Sequence, residues 1–412
     1  MLTLQKHSNL SNWLNRLEAI GFVERLDIVQ VKRIVSQLGV SKDFFLITVT
    51  GTNGKGSTCH LLDSVLRKSG YKVGLFTSPH LFKYNERISI NGHLASDEQI
   101  VLALEQVDLI ANKLDLTLGY FSYTFLAACV IFSQAELDFL ILEVGCGGRL
   151  DPSNAFDADI VAITSIGLDH QDLLGDTREK IALEKAALAR ANKPVVIGEA
   201  EFPKTALTYL NKLNANCFSY DALTLETQYA QSSPKFLHVN NLKVVIKILM
   251  LLKSQGFNIN EEMILSSLAS FSLLGRTQVL TVKQKTVIFD VGHNEQCFSY
   301  LVKYLKKNYP KNKVKVLYTA FANKSVGNVI TACGNYFDQW IVTSLKSLDN
   351  RAMPLDDLVS YFAYQSYTSF EQPEVAFESM LNNENDQSIY VVSGSFVLVS
   401  YLLSYCNKKG YI

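Results

Sequence analysis

Apolar residues along this chain recur in two rhythms, one helical and one of short continuous runs. Trp13, Leu14, Leu17 and Ile20, then Val31, Ile34, Val35 and Leu38, fall at helical spacing and predict two helices ahead of the first strand. The run 44–49 predicts a buried strand, and Leu61, Leu62, Val65 and Leu66 predict an amphipathic helix after it, with Gly70 as its stop. Apolar runs at 71–76, 138–144, 160–166 and 194–197 predict further strands, separated by helical stretches at 97–114, 125–132 and 177–186. Strands alternating with helices predict an α/β fold on a doubly wound, mostly parallel sheet. From Asn214 to Lys235 polarity rises and the period fades, which reads as an irregular or β excursion. The runs 287–290, 314–318, 341–343 and 389–392 predict a second, smaller α/β unit, so the expected domains are 1–278 and 279–412.

Composition narrows the partners. With 48% hydrophobic residues in 412, the chain has ample material for two or three cores. Lys+Arg and Asp+Glu both count 39, so no global basic field is available for nucleic acid or an acidic membrane, and any anion must be bound locally. Seven cysteines without paired spacing read as reduced core residues, which favours the cytoplasm. The start Met1 to His7 lacks the layout of a secretory signal, and no apolar run approaches the roughly 18 residues of a membrane span.

The candidate chemistry sits just past the predicted strand ends. Gly51-Thr52-Asn53-Gly54-Lys55-Gly56-Ser57 puts three glycines in six residues between a strand and a helix, a nest whose N–H groups can hold phosphate. Lys55 would reach the outer phosphates as a point charge, Ser57 would offer a hydroxyl to Mg²⁺, and the helix adds its positive end. Glu143, an acid near the end of an apolar strand, is costly there unless it meets a cation, and a Mg²⁺ shared with ATP is the natural one; a structural buried acid is the alternative. Thr77-Ser78-Pro79-His80-Leu81 and Gly167-Leu168-Asp169-His170 are polar turns beyond strand ends, where ligands of open α/β sheets collect. Arg87 has two readings of equal weight, a fork for substrate carboxylate or phosphate and a surface salt bridge.

These runs, with Gly145-Cys146-Gly147-Gly148-Arg149-Leu150-Asp151-Pro152, Leu274-Gly275-Arg276 and Phe289-Asp290-Val291-Gly292-His293-Asn294, resemble the motifs of the folylpolyglutamate synthase and dihydrofolate synthase family of the Mur-ligase superfamily. The resemblance spans nearly all of the chain and is most specific from Gly51 to Lys185. It departs from the family pattern at Cys146, Pro152, Ser122, Leu242, Lys243, Leu274 and Glu295. It implies that Ser78 and His170 join Ser57 and Glu143 around Mg²⁺, and that Lys185, in Glu184-Lys185-Ala186, carries a carbamate; an unmodified surface lysine is the alternative. It also implies that Asn241 contacts the adenine region, that Arg276 and Asp290 reach the nucleotide, and that Leu150, Asp151 and Pro152 border the pteroate with Phe121, Ser122, Tyr123 and Thr124. Lys55, Lys185 and His170 would be the catalytic set.

The activity so implied is amide ligation. ATP phosphorylates a substrate carboxylate, and the amine of L-glutamate displaces phosphate, with dihydropteroate as the preferred acid and reduced folates as a second. Mg²⁺ would be the only cofactor and the protein a monomer. Two competitors remain: a Mur-type ligase acting on a peptidoglycan precursor, for which the segment ahead of Gly51 is short, and a phosphate-loop ATPase switch, which needs no pteroate site.

Overall fold

The computed structural model describes residues 9–21, 23–382 and 386–412, and the chain divides into two compact units, Met1–Phe271 and Ser272–Ile412. The first unit holds strands β1 (Phe45–Thr50), β2 (Val73–Phe76), β3 (Ile88–Ile90), β4 (His93–Leu94), β5 (Phe139–Glu143), β6 (Ile160–Ile163), β7 (Pro194–Ile197) and β8 (Asn216–Phe218). They form one sheet in the order β4-β3-β2-β5-β1-β6-β7-β8, parallel from β2 to β8, with β3 and β4 added antiparallel at one edge. The chain leaves β1 toward one side and returns on the other, so β1 is a switch point, and the turns after β1, β2, β5 and β6 gather at one edge of the sheet.

Local chemistry explains the elements around that sheet. The helices Leu10–Ala19 and Ile28–Gln37 are closed by Asn9 and by an Asp27–Gln30 capping box, and bury Trp13, Leu17, Val31 and Ile34. The helix Lys55–Lys68 buries the predicted face Leu61, Leu62, Val65 and Leu66 completely. The helix Tyr120–Ser133 is buried from Tyr123 to Phe132, with no polar stripe, as a helix enclosed on all sides should be. The excursion from Asn214 resolves into β8 and the short helix Thr227–Ser232.

The second unit holds β9 (Gln278–Val282), β10 (Lys285–Asp290), β11 (Val314–Tyr318), β12 (Gln339–Thr343), β13 (Tyr367–Phe370) and β14 (Ile389–Ser393), in the order β13-β12-β11-β14-β10-β9. All neighbours are parallel except β9 against β10. The apolar runs predict β10, β11, β12 and β14 but miss β9 and β13, the two edge strands, because both leave alternate or successive residues exposed and carry no continuous apolar signal. The turn at Gly275 belongs to this unit, a few residues ahead of the expected boundary, because the Val291 N–H donates to the Gly275 carbonyl at 2.8 Å.

Candidate active site

The glycine loop is tied down from outside itself. After β1, the Thr52 N–H donates to the Ser165 carbonyl at 2.8 Å and the Asn53 N–H to Ser165 Oγ at 3.0 Å, while Thr164 Oγ1 donates to the Asn53 carbonyl at 2.7 Å. Gly51 and Gly54 have φ of +147° and +84°, and a Cβ on either would collide, with Thr164 Oγ1 and with the Asn241 amide respectively. Gly54 is also the N-cap of Lys55–Lys68 and offers no capping side chain, so the first turn of that helix keeps its donors for an anion. Lys55 lies over the loop, its Nζ 2.9 Å from the Gly51 carbonyl and 3.3 Å from that of Thr52. Asn241, near the start of the helix Val239–Ser254, packs directly on this loop.

Glu143 ends β5 opposite Val49 of β1, is 4% exposed, and accepts the Ser78 N–H on Oε2 at 3.0 Å. Cys59, one turn into the loop helix, shows how close this carboxylate stands: burial, and then the Glu143 charge, push its thiol well above the ordinary range, while Lys55 pulls it down. Ser57, Ser78 and Glu143 supply hard oxygen donors, which suits Mg²⁺. Among the described residues no three His, Cys, Asp or Glu side chains converge as a metal cage, so a hard cation here would draw its remaining ligands from phosphate and water. His170 is the N-cap of the short helix Gln171–Leu174, with φ +51° and its N–H on Asp169 Oδ1 at 2.9 Å.

Lys185 is no surface lysine. On the helix Arg178–Ala186 it is 3% exposed, and its side chain makes no hydrogen bond or ion pair among the described residues. Burial, and then the Lys55 charge, lower its pKa to about 7, against the opposing pull of Cys146, Asp169 and Asp151. It therefore stands among the ends of β1, β5 and β6 as a partly neutral amine.

Two other groups of residues behave differently from the sequence reading. Asp151 is 3% exposed and spends both oxygens on its own loop: Oδ2 accepts the N–H of Gly145 and Cys146 at 3.1 and 3.2 Å, and Oδ1 accepts Ser153 N–H and Oγ at 3.0 and 2.6 Å. Burial raises its pKa against those bonds. Asp151 shapes the loop that carries Leu150 and Pro152, and has no lone pair turned outward. Phe121 to Thr124 lie inside the helix Tyr120–Ser133, where about 100° per residue sends four neighbours to different sides. Phe121 packs on Gly145 and Ser122 is half-exposed, but Tyr123 turns into the core with its hydroxyl on Asp108 at 2.7 Å, and Thr124 bonds the Tyr84 hydroxyl at 2.8 Å. Tyr123 and Thr124 are thus corrections to the expected substrate wall.

Arg87 is also buried, at 7% exposure, and has no acid in ion-pair range among the described residues, which removes the surface salt-bridge reading. Its guanidinium carbon lies 5.6 and 5.5 Å from the ring centroids of Tyr84 and Tyr120, themselves 6.2 Å apart and nearly perpendicular, and its Nε donates to His80 Nδ1 at 2.9 Å. Burial, and then Arg87, lower the His80 pKa to about 4. Tyr84, Tyr120, Thr164 and Ser165 escape the sequence reading, and His80 enters it only as part of the polar turn 77–81; the polar Thr164-Ser165 pair inside an apolar run is the available signal for the other side of the loop.

In the second unit Asp290 is engaged across the β9–β10 pair and by the turn that follows it. Its Oδ2 accepts Thr277 N–H and Oγ1 at 2.8 and 2.9 Å, and its Oδ1 accepts the Gly292 N–H at 2.8 Å. Arg276, the neighbour of Thr277, lies over the Phe396 ring at 5.2 Å. Asn294 caps the helix Glu295–Asn308 by accepting the Cys297 N–H at 3.0 Å.

Residues 275–396 match the family model for the Mur ligase, glutamate ligase domain. Over 97% of its length the chain is 32% identical to a dihydrofolate synthase/folylpolyglutamate synthase of Buchnera aphidicola, covering 99% of that protein. It is equally 32% identical to the Escherichia coli protein of that name, over 99% of this chain and 98% of the relative. Among solved structures, E. coli FolC with DHPP and ADP superposes with a TM-score of 0.88 at 30% identity over 99% of this chain and all of that one. The Yersinia pestis bifunctional folylpolyglutamate synthase/dihydrofolate synthase with AMPPNP and a Mn ion gives 0.88 at 31%, covering 98% and 100%. A structure of a protein of that name with Mn, AMPPNP and L-glutamate bound gives 0.86 at 30%, with the same coverage.

Proposed function

The chain belongs to the dihydrofolate synthase/folylpolyglutamate synthase family, and we propose from that membership and from its own site that it joins L-glutamate to dihydropteroate, giving dihydrofolate, and adds glutamate to reduced folates. It is an ATP-dependent ligase. The observation that carries the reading is the convergence of an uncapped helix start, Lys55, the Ser78–Glu143 pair and buried Lys185 at one sheet edge.

In the reaction a substrate carboxylate oxygen attacks the γ-phosphorus of ATP and ADP leaves; the glutamate amine then attacks the acyl carbon, and phosphate departs as the tetrahedral intermediate collapses. Lys55 and the N–H groups opening its helix hold charge on the transferring phosphoryl group, so positioning and electrostatics supply the rate. Mg²⁺, held by Ser57, Ser78, Glu143 and His170, adds positive charge at the phosphates when bound. Asn241 borders the adenine, and Arg276 and Asp290 serve the nucleotide, Asp290 by bonding Thr277 beside Arg276. Lys185, partly neutral, adds CO₂ with loss of a proton to give a carbamate, an anion that orients cationic groups around the phosphates. Phe121, Ser122, Leu150 and Pro152 line the pterin-aminobenzoate, with Asp151 setting their loop, and Arg87 takes the substrate carboxylate. The protein acts as a monomer in the cytoplasm. Among the described residues no helix is long and apolar enough to cross a membrane.

One assay tests this reading: purified protein with ATP, Mg²⁺ and glutamate, offered dihydropteroate, a reduced folate monoglutamate or a muramyl precursor, following phosphate and product mass. Glutamylation of dihydropteroate and, more slowly, of the folate is expected. Extension of the folate alone removes the synthase half, and activity confined to the muramyl acceptor overturns the assignment.

A further inference from the structure

Arg87 is a cation in a dry place with no acid in ion-pair range among the described residues. Buried charge is costly until a counter-charge meets it. What surrounds the guanidinium orients it without neutralising it: the Tyr84 and Tyr120 rings flank one side of it at 5.6 and 5.5 Å, and His80 Nδ1 accepts the Nε–H at 2.9 Å. Guanidinium has only donors, so Nδ1 is the acceptor and His80 carries its own proton on Nε2. The frame is fixed in turn. Tyr84 donates to Thr124 Oγ1 at 2.8 Å and Thr124 to the Tyr120 carbonyl at 2.8 Å, which locks one ring onto the helix that carries the other. The Arg87 carbonyl accepts the Thr77 N–H at 3.0 Å, one residue before Ser78, whose N–H lies on Glu143.

With Nε occupied and both rings on one side of the guanidinium, the Nη edge is the part of Arg87 left to meet a ligand, and no protein group among the described residues takes it. That edge presents two parallel N–H groups, the spacing of a carboxylate. We propose that His80 is a positioning residue for the acid substrate: by holding Arg87 Nε it turns the Nη fork to receive the substrate carboxylate. The proposal rests on the reading of Arg87 as the carboxylate partner.

The test compares His80→Asn with His80→Gln, because an Asn amide oxygen falls where Nδ1 stands and a Gln amide oxygen falls nearer Nε2. His80→Gln is expected to raise KM for dihydropteroate about tenfold with KM for ATP unchanged, while His80→Asn stays near the parent. Arg87→Lys, which loses both Nε–H and the fork, is expected to raise the same KM, and adding His80→Gln to it should change nothing more. If Arg87→Lys raises KM but both His80 variants match the parent, the Arg87 reading stands and the positioning role is overturned. An unchanged KM in Arg87→Lys overturns both. Equal losses in the Asn and Gln variants, spread over ATP affinity and melting temperature, reduce His80 to a packing residue and overturn the proposal.

Discussion

Each unit sends a parallel strand through a short polar turn into a helix of 14 residues, β1 into Lys55–Lys68 and β10 into Glu295–Asn308. The first helix starts on a glycine without a cap, and its loop is braced by Thr164 and Ser165. The second starts on Asn294, which fills its own cap, and Asp290 ahead of it is spent on Thr277 and Gly292. The element order is the same, but only the first helix keeps its positive end open. Anion binding at a helix start depends less on the helix than on whether a side chain already occupies its donors.

The severest way to break this contrast is Lys55→Ala, expected to lower kcat on the order of 10³-fold while circular dichroism stays unchanged, since the loop backbone persists without its charge. Near-normal turnover would end the phosphate-loop assignment. Lys185→Ala is expected to cost on the order of 100-fold in turnover and to be partly restored by short carboxylates, which put an anion where the proposed carbamate would stand. Only a free amine by mass spectrometry of the parent under bicarbonate would count against it. Glu143→Gln and His170→Ala should each raise the Mg²⁺ concentration for half-maximal activity about 10–100-fold; a titration unmoved in both variants puts the metal elsewhere.

Two stability measurements sharpen the contrast further. The folded pKa of Lys185 lies below its unfolded value of 10.5, near 7, so between these values the unfolded chain binds more protons. In CO₂-depleted buffer, where the amine is free, the urea midpoint of the parent should therefore climb from pH 7 upward relative to Lys185→Met, and the difference should be flat below pH 7; a parallel profile refutes the buried amine. Asn294→Ala should cost about 1 kcal/mol of stability through the lost cap, read as a lower melting temperature, with no specific change in KM for ATP. A weakened KM without loss of stability would show that the second turn is not closed as described.

Much of this protein is legible in its sequence because the signals are local. Apolar runs, helical spacing and the glycines at 51 and 54 specify strand, turn and helix within a few residues of one another, and the same reasoning locates Glu143 at a strand end. Motif resemblance carried the roles further, to Ser78, His170 and Lys185. Tertiary structure decided what depends on distant neighbours. Ser165, 112 positions from Asn53, braces the phosphate loop. Burial moves Lys185 to about 7, and helix packing hides Tyr123 and Thr124 while leaving Phe121 against Gly145 and Ser122 half-exposed. Asp290, expected to meet a ligand, is engaged by Thr277, 13 positions away. The physical reason is common to all four: a residue's type sets what it can donate, accept or ionise, but which partner it meets, and in how dry a place, is fixed only when segments far apart in the chain pack together.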